Sequence, residues 1–112
     1  MNISYEGIDA VVVTVPVGNC AIGQVCKIGT SGYADQCASG DKFCGVTIHK
    51  EPNIATVQVE GFVRVGYSGS KPSCGYVNLV ADGNGKVMAN SNGREYLVVQ
   101  VDTKSSTVII KL

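Results

Sequence analysis

Valine recurs at every second position in two places. The first run is Val11, Val13, Val15 and Val17; the second is Val57, Val59, Val63 and Val65, with Gly61 holding the middle place. A period of two is strand spacing, because successive side chains of an extended chain leave on opposite faces. The second run alternates with Gln58, Glu60, Phe62 and Arg64. It therefore predicts a valine face on a core and an opposite face toward water or a partner, with Phe62 the apolar exception there. Short segments rich in β-branched or aromatic residues predict further strands over Gln24–Ile28, Phe43–His49, Tyr76–Ala81, Lys86–Ala89, Tyr96–Asp102 and Thr107–Leu112. No stretch carries a helical period over a useful length.

Fourteen glycines punctuate these segments, most clearly at Ser31-Gly32, Ser39-Gly40, Ser68-Gly69, Asp82-Gly83, Asn84-Gly85 and Asn92-Gly93. Short strands separated by such turns predict an all-β fold, a small single-domain β-sandwich or barrel with short Gly-rich turns. The 112 residues, 45% hydrophobic and 16% charged, suffice for one domain with a core. Residues 11–112 are expected to form that single β-domain, and residues 1–10 an N-terminal arm or edge strand. The sequence displays no linker, low-complexity tract or repeat.

Nine Lys and Arg balance nine Asp and Glu. This gives no electrostatic footprint for nucleic acid or for an anionic membrane. Nothing approaches the length of a membrane span, and the start, Met1-Asn2-Ile3-Ser4-Tyr5-Glu6-Gly7, lacks the basic and apolar regions of a signal peptide. The expectation is a soluble protein made in a cytoplasm, where its five cysteines stay mostly free.

Four of those thiols, Cys20, Cys26, Cys37 and Cys44, lie close in sequence, but the intervening five, ten and six residues do not match the tight knuckles of structural zinc sites. Small core thiols are expected instead, with Cys44, Val46 and Ile48 on one inward strand face. The only histidine, His49, stands beside Lys50 and Glu51 and reads as a solvated strand end. Asp35, Asp41, Glu51, Glu60 and Asp82 stand in no motif that pairs two carboxylates across a cleft. The run Asp82-Gly83-Asn84-Gly85-Lys86 lacks the Walker spacing and the oxygen-ligand intervals of a calcium loop, and reads as a hairpin turn. No catalytic residue, metal site or cofactor is indicated, so the chain is expected to act through its surface or its assembly.

The order of segments carries a further signal. Ala21-Ile22-Gly23-Gln24-Val25 is followed by Gly40-Asp41-Lys42-Phe43-Cys44-Gly45-Val46 and by Ala55-Thr56-Val57-Gln58-Val59-Glu60-Gly61-Phe62-Val63. Tyr67-Ser68-Gly69, Gly75-Tyr76, Ala81-Asp82-Gly83-Asn84-Gly85-Lys86-Val87 and Gly93-Arg94-Glu95-Tyr96-Leu97-Val98-Val99 come next. Over about residues 11–112 this arrangement resembles the small head decoration, or capsid cement, proteins of tailed bacteriophages and prophages. The resemblance implies a structural virion protein, made in the bacterial host cytoplasm. It would sit on the capsid exterior, often as a homotrimer where major capsid protein subunits meet, and stabilise the shell against internal DNA pressure.

Such a role needs apolar or aromatic anchors on a surface of low charge, repeated by symmetry so that weak contacts add. The candidate contact residues are Ile3 and Tyr5 in the N-terminal arm, and Phe62, Arg64 and Tyr67 on or beside the non-valine face of the central strand. The competing expectation for Phe62 and Tyr67 is a second core layer, and for Ile3 and Tyr5 an added edge strand. A non-catalytic carbohydrate- or ligand-binding β-module is the alternative function, against which the absence of Trp counts.

Overall fold

Gly61 divides the long valine run into two strands that belong to different sheets. Its φ of 94° lies in the left-handed region, and a Cβ there would stand 3.1 Å from the Ala10 Cα, so a side chain is opposed twice over. The computed structural model describes residues 10–112, all-β with no helix. Ile3 and Tyr5, and most of the segment expected to form an arm or edge strand, lie outside the described residues.

Ten strands follow: β1 (Val11–Pro16), β2 (Val25–Ile28), β3 (Ala34–Gln36), β4 (Gly45–Lys50), β5 (Ile54–Glu60), β6 (Phe62–Gly66), β7 (Gly75–Ala81), β8 (Val87–Ala89), β9 (Arg94–Asp102) and β10 (Thr107–Lys111). They build two five-stranded antiparallel sheets, ordered β1-β5-β4-β2-β3 and β6-β10-β9-β7-β8. The result is a small single-domain sandwich with a radius of gyration of 13.2 Å, as expected of one compact domain of this length.

The two sheet orders are the same path walked twice. β1 through β5 and β6 through β10 take equivalent places, so the chain is a structural repeat whose halves meet at Gly61. Details agree as well. Past β1, Val17 bridges Ala34 in parallel; past β6, Tyr67 bridges Val87 in the same sense. The β2–β3 turn closes with the Gly29 amide on the Tyr33 carbonyl at 3.0 Å, and the β7–β8 turn with Asp82 on Lys86 at 3.0 Å. Both turns place a glycine at φ 86°, Gly32 and Gly85. The expectation of no repeat is thus corrected. The halves share strand pairing and turn geometry, which the backbone sets, but few side chains.

Each parallel bridge joins opposite borders of one sheet, so each sheet curls nearly closed. The first encloses a small core of Cys20, Cys26, Ala34, Ala55 and Val57, bordered by Val15, Val17, Cys44 and Val59. The second encloses Val63, Val65, Tyr67, Leu79, Val87, Tyr96, Val98, Val108, Ile110 and Leu112. Strand β1 is the border of its sheet, and Val11 and Val13 are 48% and 37% exposed. This corrects the expectation that the whole run from Val11 to Val17 lines a core: only Val15 and Val17 pack against the interior.

The halves are fused through the loop before β4 and the tip of the β7–β8 hairpin. Cys37 and Phe43 from that loop, with Val25 and Val46, belong to the larger core. Phe43 stacks on Tyr96 with ring centroids 4.8 Å apart, and the Tyr96 hydroxyl donates to the Phe43 carbonyl at 3.2 Å. The Val25 amide donates to the Gly85 carbonyl at 3.1 Å, and the Ala81 amide to the Asp41 carbonyl at 2.9 Å. Asp82 holds the hairpin tip. Burial opposes its charge, but bonds from the Ser68 hydroxyl at 2.7 Å and the Asn84 and Lys86 amides at 2.7 and 3.1 Å outweigh that and keep its carboxyl below the usual carboxylate range.

Candidate contact groove

Where β5 leaves the first sheet and β6 enters the second, the surface opens into a groove of about 320 Å³. Ile22, Val46, Ile48 and Phe62 supply its apolar lining, and Gln58 and Arg64 its long polar side chains. The position follows from the crossover. Gly61 turns the chain, and the Gln58 amide nitrogen donates to the carbonyls of Glu60 at 3.0 Å and Phe62 at 3.2 Å, fixing the bend from one side. The Leu112 amide donates to the Gly61 carbonyl at 2.9 Å and fixes it from the other.

Phe62 and Arg64, two of the expected contact residues, are brought together here. Phe62 is half-buried and Arg64 exposed. The Arg64 guanidinium donates to the Thr107 hydroxyl at 3.1 Å, which ties the one charged group of the groove lining to the neighbouring strand. Tyr67 does not join them. At 8% exposure it packs in the larger core, in the place that Val17 holds in the first half, where the competing expectation of a core layer put it.

Two contributors went unnoticed in the sequence. Ile22, 60% exposed, sits in the loop before β2, and the Gly23 amide anchors that loop on the Thr47 carbonyl at 2.8 Å. A large apolar residue between Ala21 and Gly23 was the available signal. Ile48 was expected to face inward with Cys44 and Val46, yet it is 44% exposed. Ile48 keeps the alternation of β4 and shares a face with Val46, but that face opens into the groove there and leaves Ile48 uncovered. How far along a strand face the rest of the fold covers it is a tertiary property and leaves no mark in the strand's own sequence.

Behind the groove, Thr47 is fully buried, its hydroxyl beside the Cys26 thiol and without an oxygen or nitrogen partner. All five cysteines are free thiols: Cys20, Cys26 and Cys37 are buried, Cys44 is partly covered and Cys74 is exposed. Burial pushes the Cys37 thiol up to about 11. Cys26 and Cys44 are in side-chain contact. The hydrogen bond from Cys26 brings Cys44 down to about 7, while the same bond and burial push Cys26 upward, so the shared proton stays on Cys26. Among the described residues no group of three or more His, Cys, Asp or Glu side chains is arranged to hold a metal ion.

A second, smaller hollow of about 220 Å³ lies on the second sheet beside Tyr76, which is 72% exposed, with Arg94, Glu95 and Lys111 around it. Arg94 stands over the Tyr96 ring, 4.9 Å from its centre. Among known proteins, no family model, curated sequence or solved structure matches this chain.

Proposed function

We propose that this chain is a structural virion protein that binds the outer surface of a tailed-phage head and stabilises the capsid lattice, as a homo-oligomer, with a trimer favoured. The reading starts from the order and spacing of segments, which resemble those of capsid cement proteins. The observation that carries it is the groove of exposed Ile22 and Ile48 around Phe62, with Arg64 its single charge. A surface of this kind binds by shape and apolar contact, with one directional group to set orientation. A single groove of this size is a weak site, and threefold repetition over a lattice turns it into a firm one. The major capsid protein is the partner this reading assigns.

The test mixes purified protein with heads of its own phage before and after expansion and measures co-sedimentation. Binding to expanded heads alone is expected, and Ile48→Asp or Phe62→Asp should weaken it at least tenfold while leaving the fold intact. Failure to bind mature heads under any condition that preserves the shell overturns the reading. The exposed Tyr76, ringed by charged side chains, favours a second reading, a non-catalytic carbohydrate- or ligand-binding module. Glycan-array binding lost in Tyr76→Ala, with a monomer in solution, would select it.

A further inference from the structure

The two sheets differ in one seam. In the second, β7 pairs with β9 from Gly75 through Leu79; in the first, β2 meets β4 only at Val25↔Val46 and Cys26↔Gly45. At the end of this short seam the Cys44 amide donates to the Cys26 carbonyl at 2.9 Å. Bond lengths alone then keep the two Cα atoms within about 7 Å, and the Cys44 side chain packs against the small core that holds Cys26. The accessibilities are unequal: Cys26 is fully buried, whereas Cys44 reaches the surface in part.

We propose that Cys26 and Cys44 form a reactive dithiol that hydroperoxides oxidise to a disulfide, stapling β2 to β4 where the first sheet is held least. Cys44 is the attacking group. Its thiolate sulfur takes the distal oxygen of the hydroperoxide as the O–O bond breaks, giving a sulfenic acid and an alkoxide, or hydroxide from hydrogen peroxide, which takes up a proton. The Cys26 sulfur then attacks the Cys44 sulfur. The S–S bond forms, the S–OH bond breaks, and the hydroxyl leaves as water with the Cys26 proton. The dithiol loses two electrons and two protons, and the peroxide accepts them. The lowered pKa of Cys44 supplies the thiolate near neutral pH. The buried Cys26, in the core against which Cys44 packs, resolves the sulfenic acid before a second peroxide reaches it.

The experiment uses the full chain, reduced and desalted, with hydrogen peroxide at neutral pH and Cys74→Ser as background to remove the exposed thiol. Intact mass should show loss of two hydrogens, peptide mapping should join Cys26 to Cys44, and Tm should rise by about 10 °C. Cys26→Ser should hold a sulfenic acid at Cys44 that dimedone traps, and Cys44→Ser should abolish the reaction. Should Cys26→Ser fail to fold, competition with iodoacetamide on the unmodified chain decides, since Cys44 must label at least tenfold faster than Cys20 or Cys37. A crosslink between other cysteines, stepwise over-oxidation without a crosslink, or equal labelling of the three thiols overturns the proposal.

Discussion

The first half of the chain and the second run the same five-strand path around cores of very different size. Equivalent positions read Cys26 against Leu79, Ala34 against Val87, Ala55 against Val108, Val57 against Ile110, and Val17 against Tyr67. In each pair the second half carries the larger side chain. Strand pairing and turn geometry therefore tolerate a core of Cys, Ala and Val as well as one of Val, Ile, Leu and Tyr. The smaller interior buries less apolar surface and contributes correspondingly less stability, by about 25 cal/mol for each Å². The first half compensates by lending Val25, Cys37, Phe43 and Val46 to the larger core, so its own stability is borrowed across the interface.

The comparison is most exposed at Phe43. Phe43→Ala should cost about 3–5 kcal/mol, because it empties the stack on Tyr96 and unfastens the loop that joins the halves. Chemical denaturation that gave less than about 1 kcal/mol would mean that the halves stand independently. Next come the paired truncations of equivalent, fully buried positions, Ile110→Ala and Val57→Ala. The first should cost about 2–5 kcal/mol, and the second about 1 kcal/mol less, as it removes one carbon fewer. A reversed order in matched urea titrations would show that the small core limits stability. The smallest effect is a gain. Thr47 pairs with Val57 as Val98 pairs with Ile110, so Thr47→Val places the second half's residue in the first and removes a buried hydroxyl without an oxygen or nitrogen partner. Stability should rise by about 1 kcal/mol, and a fall would mean that the hydroxyl is held by the Cys26 thiol beside it.

Much of this fold was legible because period two and glycine turns are local properties. The expected strands from Gln24, Phe43, Tyr76, Lys86, Tyr96 and Thr107 all correspond to observed ones, and the turns at Ser31-Gly32 and Asn84-Gly85 are where the backbone needs positive φ. Strand β3 escaped notice. Ala34-Asp35-Gln36 has neither β-branched residues nor alternation, and it becomes a strand only through pairing with β2 and the Val17 bridge. The groove was half legible. Phe62 announced itself as an apolar residue on a polar face, whereas Ile48 and Ile22 come beside it only through the packing of β4 and of the loop before β2.

The amino-acid sequence by itself determined the class of the fold, because alternation commits most segments to strands and glycine marks many of the turns. It did not determine which valines are buried, where the long run at Gly61 changes sheets, or that the chain repeats its path. Those are decided by pairing between segments distant in sequence, where backbone hydrogen bonds repeat a topology that side chains of different size conceal. The same pairing decided the chemistry of the cysteines. Their spacing suggests nothing, and only the meeting of β2 with the start of β4 sets a buried thiol against a partly open one.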